Sequence, residues 1–165
     1  MGSKGFYLPQ DGHLVQLFEP ADHTGAENSL VFRMKEYNHA TIIISYGATP
    51  AADGVITVES CSAMAGGGTN TAIPITYYKC ILDFEGALGD VLGAATSPAL
   101  AATGMIPTAT ANTMYVIELE ASQLIQGHVG FRVAQANPTG ASIMSGIAIL
   151  SGSRYGQDQS RTVIA

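Results

Sequence analysis

Residues 36–82 read EYNHATIIISYGATPAADGVITVESCSAMAGGGTNTAIPITYYKCIL, and this stretch decides the class of fold. It holds three strand-like runs, 39–46, 54–61 and 72–82, separated by the loops GATPAAD and SAMAGGGTN. Val, Ile, Thr and Tyr dominate the runs, as suits a pleated surface buried on one side. Gly, Pro, Ala and Asn fill the loops, where turn chemistry is needed. The pattern predicts a β-meander on which the other strands pack. Residues 72–82 are apolar on both faces, which predicts a central strand or one covered by a partner.

Five further strands are predicted outside this stretch, at 13–18, 29–34, 114–120, 129–135 and 142–151. Leu30 and Phe32 share one face of the second. Tyr115, Ile117 and Leu119 point inward from the third, with Glu118 and Glu120 outward. Val129, Phe131 and Val133 point inward from the fourth, with Arg132 outward. The fifth, SIMSGIAILS, is apolar on both faces and reads as a buried or interface strand. Residues 121–124 suit a single helical turn. The class is therefore all-β: a single antiparallel β-sandwich or jelly-roll-like domain with an extended N-terminal arm and long loops.

The expected divisions are an arm at 1–12, the sandwich at 13–155 and a tail at 156–165. Phe6, Tyr7 and Leu8 form an apolar tip on the arm, before Pro9. Residues 83–113 form a long low-complexity connection, DFEGALGDVLGAATSPALAATGMIPTATANT, expected on the surface and in contact with a partner, with part of it strand or a short helix around 98–102. Connections of this length in a compact domain are often functional.

Composition narrows the partners. Charged residues make up 12% of the chain, against roughly 25% in an average globular protein, and mean hydropathy is +0.22. A weakly charged, apolar surface is the kind that lasting interfaces use. Net charge is −6 and the seven Lys and Arg are scattered along the sequence, which argues against a phosphate-backbone partner. Residues 91–117 carry no charge, but Pro98, Pro107, Gly93 and Gly104 interrupt them. They are thus not expected to span a membrane, which takes about 20 strongly apolar residues. The N-terminus, MGSKGFYLPQDGH, lacks the apolar core of a secretory signal, so none is expected.

Residue types that carry chemistry are sparse. His13, His23, His39 and His128 share no metal-ligand spacing with one another, with Cys or with carboxylates. The glycines at 66–68 lack the following Lys and helix of a phosphate loop. Glu118 and Glu120 lie two apart on one strand face, which alternation explains as solvent exposure. No catalytic, cofactor or metal residues are therefore predicted. A hairpin centred near Gly67 would set Cys61 opposite Ile73 and Cys80 opposite Gly54, too far apart to bond. Two free, buried thiols made in a reducing cytoplasm are expected.

The segments YNHATIII, GVITVESC, TAIPITYYK, MYVIELEASQL and IAILSGSRY resemble a family of small proteins from tailed-bacteriophage head modules. Its members read YNHATIIxxxGA, ITVExC, ATAIPFxYxK, YVIEVDAxEL and AILSGxRY, and the resemblance runs from Tyr37 to Tyr155. The motifs are structural and mark no active site. The resemblance implies a capsid decoration, or cement, protein on the outside of an icosahedral virion, often a homotrimer, with the major capsid protein as partner. The candidate contacts are Phe6, Tyr7, Leu8, Leu92, Leu100, Met105, Ile106 and Tyr155. Competing readings are a carbohydrate- or receptor-binding β domain and a tail-tube or tail-tip subunit. The absence of Trp weakens the sugar-binding reading.

Overall fold

Alternation along residues 37–46 places Ala40, Ile42, Ile44 and Tyr46 on one buried face, and the sheet is assembled around them. The computed structural model describes residues 8–47, 54–65, 68–81, 91–108 and 112–154. Its elements are α1 (Leu8–Asp11), β1 (Gly12–Asp22), β2 (Glu27–Asn28), β3 (Phe32–Arg33), β4 (Tyr37–Tyr46) and β5 (Ile56–Cys61). They continue with β6 (Asn70–Ala72), β7 (Thr76–Ile81), β8 (Thr113–Glu120), β9 (Gly130–Gln135) and β10 (Ile143–Ser153). Two antiparallel sheets result. One has the order β1-β10-β4-β8-β7; the other runs β2-β9-β5-β6, with β3 also pairing with β9.

The pairings are nested. β1 pairs with β10, β2 with β9, β4 with β8 and β5 with β6. A long hairpin folded over itself in this way is the jelly-roll topology. The inward faces meet in one core. Ile42, Ile44, Ile117, Leu119 and Leu150 come from the first sheet, and Ile56, Val58, Phe131 and Val133 from the second.

The all-β class stands, and so do the inward positions Tyr115, Ile117, Leu119, Phe131 and Val133. The meander does not form. β4 lies in the first sheet and β5 in the second, so these two strands cross the sandwich instead of pairing, and only the hairpin of β5 with β6 remains of the meander. The predicted strand 72–82 is divided between β6 in one sheet and β7 in the other. Pro74 sits at the break, where it has no N–H to give to a ladder. Ile73 and Ile75 on either side stay buried while the chain changes sheets. β7 is consequently an edge strand of the first sheet and not a central one.

Two other strands depart from their expected bounds. β1 runs past Pro20 to Asp22, with register shifts between Gln16 and Phe18 and between Phe18 and Ala21. Its position at a sheet edge tolerates both the proline and the bulges. The predicted strand 29–34 is replaced by the short β2 and β3, which pair with β9 in succession. Between them Leu30 turns outward and is exposed, whereas Phe32 is buried, so the two do not share a face. The expected turn at 121–124 is a 3-10 turn, Ala121–Gln123, closed by a reciprocal capping box between Glu120 and Gln123.

Cys61 and Cys80 are free and buried. Cys61 faces Asn70, three residues from the expected Ile73, because the hairpin tip lies nearer β5. Cys80 faces Met114 in the other sheet. Burial pushes the Cys61 thiol up to about 11, with Glu59 adding to the effect and Arg132 opposing it. Such a thiol is a poor nucleophile at neutral pH.

Two tests follow from this arrangement. Ile42→Ala should cost about 2–5 kcal/mol in urea denaturation, because it opens a cavity at a fully buried site. A cost within experimental error would place β4 outside the core. Both cysteines should resist a thiol reagent in the native protein. Both should react in denaturant without any reductant, whereas a disulfide would leave them unreactive there.

Candidate functional site

Apolar side chains on the outward face of the first sheet fall into register across its strands. Ile147 of β10 faces Ile43 of β4, Ile43 faces Val116 of β8, and Val116 faces Tyr78 of β7. Beside this row, Leu14 of β1 faces Ile149 of β10. Leu14 is exposed, and Ile147, Ile149, Ile43 and Tyr78 are half-buried. Cross-strand neighbours on one face lie close enough to form a continuous band. The two-sided apolar character read in residues 142–151 is thus real: Met144, Ala148 and Leu150 face the core and Ile147 and Ile149 the outside.

The described part of the connection, residues 91–108, spans the open side of the sandwich. It first runs along the free edge of β7. The Gly93 N–H donates to the Lys79 carbonyl at 2.8 Å, and Thr96 exchanges two backbone bonds with Tyr77. Covering an edge strand in this way satisfies its outward backbone groups and blocks uncontrolled pairing. After a 3-10 turn at Ala101–Thr103 the chain reaches the second sheet, where Met105 exchanges two backbone bonds with Ile56. The Thr108 N–H then donates to the Tyr115 hydroxyl at 2.9 Å.

This path sorts the candidate contacts. Leu92, Leu100 and Ile106 are exposed by 44%, 69% and 50%. Met105 is a correction: it is fully buried in the core. Its bridge to Ile56 draws it inward, and a flexible thioether fills the seam between the sheets. Leu8 is half-buried in α1, which packs on β1 and β10. Phe6, Tyr7 and Tyr155 lie outside the described residues. Alternation also missed Leu14, Val91 and Ile143, all exposed apolar residues.

The histidines make structural contacts. His39 lies directly across from Glu120, and Thr41 across from Glu118. Nδ1 of His39 meets Glu120 Oε1 at 2.9 Å and Nε2 meets Glu118 Oε2 at 2.7 Å, while Thr41 donates to Glu118 at 2.8 Å. Both ring nitrogens are taken by carboxylates of this chain, so the group clasps β4 to β8 and leaves no nitrogen for a substrate. His23 is buried between Glu27 and the Glu19 carbonyl. His13 stacks on Tyr37. His128 Nδ1 meets the Ser60 hydroxyl at 2.9 Å, but Ser60 is fully buried and its oxygen also receives the Ile125 N–H. This Ser–His pair therefore secures a loop and exposes no nucleophile. Among the described residues no three His, Cys, Asp or Glu side chains are grouped to hold a metal ion.

No protein-family model and no curated protein matches this chain. A similar solved structure is that of the SPBc2 prophage-derived protein YomS. The two are 15% identical, with 84% of this chain and 93% of that one covered and a TM-score of 0.45. The resemblance to head decoration proteins accordingly rests on the sequence motifs alone.

Gly104 holds the connection against the second sheet and adopts a φ of 60°. A Cβ there would meet the Ile56 carbonyl oxygen and the side chains of Thr57 and Val55. Gly104→Ala should therefore destabilise the protein by about 1–3 kcal/mol in denaturant unfolding. Gly127 also has positive φ but has open space around it. Gly127→Ala should cost less, about 1 kcal/mol from backbone strain alone.

Proposed function

We propose that the protein is a structural component of a tailed-phage virion that binds the outside of the capsid as a decoration protein. It acts there by contact area and without chemistry. The observation that carries this reading is the apolar band from Leu14 to Tyr78 across the outward face of the first sheet. A face of this kind suits a lasting contact, because it can be dried at little electrostatic cost. Leu92, Leu100 and Ile106 on the connection add a second apolar set at the sandwich edge. The sequence motifs between Tyr37 and Tyr155 supply the family. The net charge of −6 suits an outer surface better than one lined by DNA.

The partners in this reading are the major capsid protein and two further copies of the chain. The band serves the contact between copies, while the connection and the arm at Phe6, Tyr7 and Leu8 serve the shell. Burying one such side chain is worth roughly 1.5–3 kcal/mol. Fixing the backbone of one residue on binding costs roughly 1–2 kcal/mol. A single arm therefore binds weakly, and a trimer binds well because several arms engage at once.

Purified shells lacking the protein provide the test. Leu100→Asp and Ile106→Asp should leave the melting temperature unchanged, since both side chains are exposed, yet weaken binding to shells by at least about tenfold each. Binding equal to that of the unaltered chain would remove the connection from the interface. Light scattering on the free protein should give about three times 17.1 kDa. A monomer at all micromolar concentrations would remove the band as a contact between copies.

A further inference from the structure

Three of the basic residues that look scattered in the sequence converge at one end of the sandwich. β3 leads into β4 there, β8 leads into β9, and β10 ends. Arg33, Lys35 and Arg154 line a single cleft of about 350 Å³ at this end, and His128 completes its polar wall. Three of the seven Lys and Arg in an acidic chain thus share one concavity. Among the described residues that line it there is no carboxylate. Arg33 and Lys35 have no acidic partner among the described residues. Arg132, by contrast, is spent on Glu59, and the acids of the neighbouring strand pair, Glu118 and Glu120, are spent on His39.

The cationic groups are positioned. Arg154 Nε donates to the Asn38 side-chain oxygen at 2.7 Å, and its backbone N–H donates to the Glu36 carbonyl at 2.9 Å. Among the described residues the outer guanidinium nitrogens make no bond. His128 is oriented by Ser60, whose buried oxygen receives the Ile125 N–H. The other wall is apolar and includes Leu124 and Val129, both half-buried.

We propose that this cleft is a binding site for the end of an acidic peptide segment, whose carboxylate meets Arg33, Lys35 and Arg154 while an adjoining apolar side chain lies against Leu124 and Val129. The mixed lining favours such a ligand over a bare inorganic anion, which has no use for an apolar wall. Guanidinium groups suit a carboxylate because they present paired N–H donors in its plane. The volume falls in the range of small-ligand sites, about 300–1,000 Å³, and admits a chain end but no folded surface. The site stands apart from the band and the connection, and does not depend on the protein being a capsid component.

Calorimetry and amide NMR on the full chain test it with three probes: N-acetyl-Ala-Leu with a free carboxylate, the same peptide as its C-terminal amide, and inorganic phosphate. The free acid should bind, shifting the amides of Lys35, His128 and Val129, and the amide should bind at least about tenfold more weakly. Lys35→Gln and Arg154→Gln alter exposed side chains, so both variants should fold as before. Each should weaken the acid by about tenfold, with a reduced dependence on salt. Equal binding of acid and amide overturns the proposal, as does the absence of shifts at these amides. Phosphate binding as tight as the acid at the same amides also overturns it, and makes the cleft a plain anion site.

Discussion

The whole arrangement depends on the burial of alternate side chains along β4 between β10 and β8. Ala40, Ile42, Ile44 and Tyr46 are all in the core, and each is flanked on both sides by strand. Side chains alternate with a period of two, so a slip of one residue would turn all four to the outside and expose them to water. The alternation therefore pins the register of β10 and β8. Through β10 it pins β1, and through β8 it pins β7. The two sheets can then bury their faces against each other only by sending the chain back and forth across the sandwich. That constraint produces the nested pairing, in which strands far apart in sequence are neighbours in space.

The same registration organises the surface. Pairing Ile147, Ile43, Val116 and Tyr78 opposite one another turns isolated outward residues into a band. Pairing His39 with Glu120 and Thr41 with Glu118 ties polar groups into a clasp a short distance along the same sheet. The edges are handled separately. β7 is covered by residues 93–97, and β1 carries bulges and Pro20. What remains open is a face suited to dry contact and, at the end where β4 begins, a cleft suited to a carboxylate. The two differ in chemistry and would serve different ligands.

The reading of residues 72–82 shows where periodicity stops being enough. Both of its faces are apolar, and a flat sheet would need a strand buried on both sides to explain that. The structure solves the same problem by changing sheets at Pro74, so that Ile73, Ile75 and Tyr77 keep contact with one core from two directions. Met105 is a similar case. In a stretch with no charge and little periodicity, nothing local separates it from its exposed neighbour Ile106. Two backbone bonds to Ile56, a residue roughly fifty positions earlier, make the distinction.

The sequence by itself determined the class of fold, most of the strands and most of their inward residues. These depend on alternation and turn chemistry, which are local and act over a few residues. It also carried the weak charge and the apolar outward positions Ile147 and Ile149. The tertiary structure decided which strands pair, because in a sandwich the partner of a strand is chosen by burial of a shared face and by crossing connections, neither of which leaves a local mark. It decided as well that Arg33, Lys35, His128 and Arg154 meet. They come from the end of β3 and the turn after it, from the β8–β9 connection and from the residue after β10, and only the nested pairing of β3 with β9 and β4 with β8 and β10 brings those segments to one end.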